Sequence, residues 1–160
     1  RLLDGLIDIY LPDMKYGTDE VAQVYSGVVD YVETNRLAVA EMLRQVGPLA
    51  IDRENVARRG LMVRHLVLPG GMADTVDVLS WMAQHLPPDV PLSLMSHYAP
   101  KYQAAEGFFP EIERKLTQSE YEYYLAVADE LGLSRIYAQD LDSDRVYAPD
   151  FTKGRPIGVS

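Results

Sequence analysis

Apolar and polar positions along this chain fall into blocks whose period changes, and the changes divide it into elements. Residues 6–11, LIDIYL, form a short run rich in β-branched and aromatic side chains between Gly5 and Pro12, which predicts a buried strand. The segment PDMKYGTD that follows is polar. From Asp30, DYVETNRLAVAEMLRQVG sets Ala38, Val39, Met42, Leu43 and Val46 on one stripe, with charges opposite and Gly47 as a stop. That spacing predicts an amphipathic helix. PLAI and the longer run from Leu61 to Leu68 read as two strands joined through the polar turn DREN. MADTVDVLSWMAQHL returns to helical spacing through Val76, Leu79, Met82, Ala83 and Leu86, until PPDVP breaks it. PLSLMSHY reads as a further strand, Thr117-x-x-Glu120 as a capping box opening a helix that stops at Gly132, and LSRIYAQ as a last strand.

The order strand, helix, strand, helix, strand, helix, strand predicts an α/β fold of parallel βα units. A complete eightfold βα barrel takes about 250 residues, whereas this chain has 160. The expected architecture is therefore part, about half, of a TIM-like partial barrel over residues 1–138. Residues 139–160 form a polar tail that reads equally as a linker, an edge strand or an arm onto another chain. The opening RLLDG resembles the last turn of a helix ending at Gly5, as expected of a piece of a longer protein.

Composition narrows the function classes. With 24 acidic and 15 basic side chains the net charge is −9, and no basic run is present, so a nucleic-acid partner held by phosphate neutralisation is not expected. No apolar stretch approaches the roughly 20 residues that span a bilayer, and no signal-peptide pattern opens the chain. A cytoplasmic protein without a membrane partner is the expectation. The chain has no cysteine, which removes disulfides, thiolate zinc sites and any cysteine-ligated iron–sulfur cluster from its own residues.

In parallel α/β folds ligands gather at the carboxyl ends of strands. Asp13 and Lys15 follow the first strand two residues apart and share a face if the extended conformation persists. They read either as a site for an amino-acid-like ligand or a cation, or as a solvated loop pair. In 63-VRHLVLPGG-71, alternation sends Arg64 and His65 to opposite faces. A guanidinium facing the barrel interior is costly unless paired or aimed at an anion. On the helix-covered face a neutral histidine can serve a structural role. Ser96, His97 and Tyr98 end the third strand and either line the same mouth or are ordinary loop polarity. Pro69-Gly70-Gly71 lacks the spacing of a phosphate loop.

DIYLPDMKYGTDEVAQVYSGVVDY, VARRGLMVRHLVLPGG and PLSLMSHYAP, in this order, resemble the C-terminal half of radical S-adenosylmethionine proteins related to the pyruvate formate-lyase activating enzyme. The resemblance covers about residues 1–138 and implies a partial parallel barrel. It also implies an oxidoreductase that binds a [4Fe–4S] cluster through a CxxxCxxC motif and cleaves S-adenosylmethionine to a 5′-deoxyadenosyl radical. The activating enzymes direct that radical at a glycine of a partner glycyl-radical enzyme. By the same resemblance Asp13 and Lys15 lie beside the cofactor, Asp13 also helping to hold a monovalent cation. Arg64 lies at the methionine moiety, and either His97 or Tyr98 lies at the end of the next strand. No catalytic residue is implied in this chain. The cluster would belong to the parent protein only, so the isolated chain is expected to be inactive, with the missing N-terminal half of the barrel as its first partner. A different reading is a non-enzymatic module, since half a barrel exposes sheet edges and apolar interior and would form homo-oligomers or bind another protein.

Overall fold

Short strands build the sheets of this protein, with inward and outward positions alternating most plainly along Val63–Leu66. A computed structural model describes residues 2–139; the tail expected over residues 139–160 lies, apart from Gln139, outside the described residues. The strands are β1 (Ile9–Tyr10), β2 (Ala50–Ile51), β3 (Ala57–Leu61), β4 (Val63–Leu66), β5 (Leu92–Met95) and β6 (Ile136–Ala138). The helices are α1 (Asp19–Ser26), α2 (Tyr31–Val46), α3 (Thr75–His85) and α4 (Gln118–Glu130). Two three-stranded sheets result, in the orders β1-β3-β2 and β4-β5-β6. All pairings are parallel except β2 with β3. The fold is thus α/β with small parallel sheets, and the described residues close no barrel.

The long strand expected from Leu61 to Leu68 is interrupted at Met62, where one sheet gives way to the other. The backbone nevertheless carries one ladder past the break. Met62 N–H donates to Tyr10 O, Arg64 N–H to Pro12 O, and Met14 N–H to Arg64 O. The first strand therefore continues, irregularly, beside β4, and Asp13 pairs with Arg64 in a parallel bridge. Residues 6 and 7 lie outside it, Leu6 being 73% exposed, and Asp8, itself exposed, joins only through its carbonyl, which accepts the Gly60 N–H. Pro12, which has no N–H to give, breaks the regularity on the other side.

Helices cover one face of these sheets. Leu61, Val63, His65, Val67, Leu92 and Leu94 turn into a core closed by Val39 and Val46 of α2, Val78, Leu79 and Met82 of α3, and Tyr121, Tyr124 and Ala128 of α4. Each buried Val, Leu or Met of this layer contributes roughly 1.5–3 kcal/mol by leaving water, so the layer fixes which strand face is inward. The stripe expected on α3 holds at Leu79, Met82 and Leu86, with Ala83 packed beside them, but not at Val76, which is 40% exposed while Thr75 and Val78 are buried. Thr75 is drawn in because its hydroxyl partners buried His65. Helix α4 starts at the expected capping box, Thr117 accepting from Glu120 N–H while Glu120 reaches back to Thr117 N–H. No helix among the described residues is long and apolar enough to cross a membrane.

Helix α1 was not foreseen in the polar stretch after β1. Its signals are local: Thr18 caps the first turn, Asp19 and Glu20 lie where the helix dipole favours negative charge, and Gly27 closes it at φ 64°.

Candidate functional site

The opposite face of the parallel strands bears Arg64, Leu66 and Met95, none of them fully buried. Its charged group is a trio. Arg64 Nη2 lies 2.7 Å from Asp13 Oδ1, and Lys15 Nζ lies 3.2 Å from Asp13 Oδ2. Parallel pairing of Asp13 with Arg64 sets both side chains on one face, and Lys15 follows two residues on. The backbone carrying them is pinned from α2: Asn35 Nδ2 donates to Asp13 O at 2.9 Å, and Lys15 N–H donates to the Tyr31 hydroxyl at 2.7 Å. Burial raises the pKa of that hydroxyl, with the Lys15 N–H acting against it.

Three buried side-chain atoms around this trio have no hydrogen-bond partner: Asp13 Oδ1, Asn35 Oδ1 and Arg64 Nε. The Asp13 to Arg64 contact is an ion pair by distance but does not satisfy Oδ1 in hydrogen-bond geometry. Half-exposed ion pairs stabilise folds by only about 0–1 kcal/mol, whereas an unsatisfied buried polar atom costs about 1–3 kcal/mol. A polar ligand or an ordered water would supply the missing partners.

His65 faces the other way, as alternation requires, and is fully buried. A carbonyl can only accept, so Nδ1 carries the proton and donates to Met14 O at 2.5 Å, leaving Nε2 to accept from the Thr75 hydroxyl at 2.9 Å. Desolvation holds its pKa down at about 4, against a raising effect of the Met14 carbonyl. It is a neutral clamp between the end of the first strand and α3.

His97 and Tyr98 separate. His97 Nδ1 lies 2.8 Å from Gln139 Oε1, at the β6 side. Tyr98 turns toward Ile112, whose carbonyl accepts its hydroxyl at 2.8 Å, and lines a cavity of about 480 Å³. Lys15 lines the same cavity, with Leu66, Tyr16, Tyr25 and Phe109. Of the residues expected at the site, the fold thus brings Asp13, Lys15 and Arg64 together, puts Tyr98 across a neighbouring cavity, and leaves His97 on Gln139. Among the described residues no group of three or more His, Asp or Glu side chains is placed to hold a metal ion.

Sequence reasoning passed over Tyr25, Lys101, Tyr102 and Phe109. Tyr25 was legible only through the missed capping signals of α1. The other three lie on loops after β5, where no periodicity marks an inward face.

The chain is 31% identical over 138 residues to an uncharacterized protein of Methanocaldococcus jannaschii, a match taking in 86% of this chain and 36% of that protein. It therefore spans little more than a third of that relative's length. No family model and no solved structure matches.

Proposed function

We propose that this chain supplies part of the S-adenosylmethionine pocket of a radical S-adenosylmethionine protein of the pyruvate formate-lyase activating type. Its βα units would be the later portion of a TIM-like partial barrel. The observation that carries this reading is the convergence of Asp13, Lys15 and Arg64 on one face of adjacent parallel strands, with buried Asp13 Oδ1 and Arg64 Nε lacking hydrogen-bond partners. Two cations beside one carboxylate suit a zwitterionic ligand. Lys15 and Arg64 would meet the methionine carboxylate, and Asp13 the amino or sulfonium charge. Bound and reductively cleaved, the cofactor would supply hydrogen-abstracting chemistry that no side chain here can provide. With no cysteine in the chain, the cluster ligands would come from the N-terminal half of the barrel, and a glycyl-radical enzyme would be the target.

Calorimetric titration of S-adenosylmethionine into the longer, cluster-loaded protein tests the reading. Arg64→Ala and Lys15→Ala should each weaken binding about tenfold or more, the loss of a charge-assisted bond. Unchanged affinity in both variants would overturn it. A second reading, a self-associating or partner-binding module without enzymatic activity, draws on Leu11 and Tyr137, which are 50% and 44% exposed.

A further inference from the structure

The cavity beside the charged trio has a chemistry of its own. Its volume of about 480 Å³ lies within the roughly 300–1,000 Å³ usual for small-molecule sites. Aromatic rings dominate the wall: Tyr16, Tyr25, Tyr98, Tyr102 and Phe109. Three of the four tyrosine hydroxyls are already engaged within the protein. Tyr16 shares a hydrogen bond with Ser26 Oγ at 2.8 Å, Tyr25 donates to Glu111 Oε1 at 2.7 Å, and Tyr98 donates to Ile112 O at 2.8 Å. The rings of Tyr16, Tyr25 and Phe109 are locked edge to face or tilted against one another, at centroid distances of 6.4 and 5.3 Å. These residues therefore offer a guest fixed ring surface rather than hydrogen bonds.

The charged groups of the wall are Lys15 and Lys101. Lys15 is partly neutralised by Asp13, whereas Lys101 is exposed and has no ion-pair partner among the described residues. Two ammonium groups disfavour a cationic guest and match an anion. No arginine contributes the planar fork that recognises phosphate in two-point fashion. A single carboxylate is the better complement. Tyr102 adds a second sign of a binding rim. Its backbone sits at φ 48°, a conformation bulky residues rarely adopt, and its ring is 84% exposed although it lines the cavity. Packing within the fold does not explain a strained and exposed aromatic at that place; a guest covered by it would.

We infer that this cavity binds a small planar aromatic carboxylate, its ring held among Tyr25, Tyr98, Tyr102 and Phe109 and its carboxylate met by Lys101. Neither Asp13 nor Arg64 lines the cavity, which shares Lys15 alone with the charged trio, so the inference does not rest on the cofactor reading. The test uses the 160-residue chain and two probes of equal shape, naphthalene-2-carboxylate and the neutral naphthalene-2-carboxamide, titrated by calorimetry. The acid is expected to bind at least about tenfold more tightly than the amide, as one charge-assisted contact would give. Lys101→Gln should erase most of that preference while leaving amide binding unchanged, and Arg53→Gln, on an exposed turn, should change neither. Tyr102→Ala should weaken both probes equally with no loss of thermal stability, because its ring is exposed. Equal affinity for acid and amide, no binding of either, or a Lys101→Gln chain that still prefers the acid would overturn the inference. S-adenosylmethionine that displaces the acid competitively would also overturn it, by making the cavity the cofactor's own pocket. Failure here would leave the Arg64→Ala titration of the longer protein unaffected as a test of the cofactor site.

Discussion

His65 shows how one residue can be polar, central in a strand and yet remote from any chemistry. Met14 O can only accept, so the neutral ring carries its proton on Nδ1 and takes the Thr75 hydroxyl as donor at Nε2, and it is burial that keeps the ring neutral. Burial lowers its folded-state pKa to about 4 from an ordinary value of 6.5. The unfolded chain then binds more protons than the folded one between those values, so stability is full above about pH 6.5 and falls as the pH drops toward 4. The expected slope from this residue is at most about 1.4 kcal/mol per pH unit. Urea unfolding at pH 7 and pH 5 measures it. A His65→Gln variant should be less stable at pH 7, from imperfectly met partners, but should lose less between the two pH values. A wild-type midpoint that does not fall over that window would show that the imidazole is not held neutral.

At the scale of elements, the decisive piece is the close seating of β3 against the loop before β2. Gly60 has φ 123°, outside the range comfortable for an L side chain, and a Cβ there would press on the Pro48 carbonyl and on Leu49 Cα. Gly60 N–H also donates to Asp8 O, tying β3 to the first strand just below the Asp13 to Arg64 bridge. Gly60→Ala should therefore cost about 2 kcal/mol or more from strain and displaced backbone, read as a drop in the thermal midpoint. An exposed position such as Ala50→Gly should move it far less. The Pro69-Gly70-Gly71 turn is held from a distance in another way: Gly70 N–H donates to Glu120 Oε1, and Arg114 grips the same carboxylate with two bonds. The turn, which lacks phosphate-loop spacing, is thus fastened to the first turn of α4.

For the molecule as a whole, the helices lie on one face of the strands and leave apolar side chains open on the rest of the surface. Leu6, Leu11 and Tyr137 are 73%, 50% and 44% exposed, more than isolated surface leucines would make notable only because Leu11 and Tyr137 belong to or adjoin the strands. We expect the 160-residue chain to self-associate, with sedimentation velocity showing a concentration-dependent shift that Leu11→Lys reduces. A single monomeric species across the micromolar range would count against the proposed partial barrel, which would leave strands uncovered.

Much of this was legible in the sequence because it depends on local period and local stops. The helix from Asp30 to Gly47, the capping box at Thr117, the parallel βα alternation, and the division of Arg64 and His65 between faces all follow from side-chain geometry that repeats every 3.6 or two residues. The two ends of α1 also had local signals, in Thr18 and Gly27, though its short polar sequence lacks an apolar stripe wide enough to announce it. What the sequence could not decide were the matters settled by other segments. Met62 interrupts the long strand where the neighbour on one side changes from β2 to β5, while the first strand continues along the other side. His97 goes to Gln139 and Tyr98 to Ile112 because residues 42 and 14 positions away offer the acceptors. The aromatic cavity exists only where a helix after β1 and loops after β5 meet, and no period within either segment encodes that meeting. Sequence by itself determined the faces; the tertiary structure decided which faces share a site, because that depends on contacts between residues far apart in the chain.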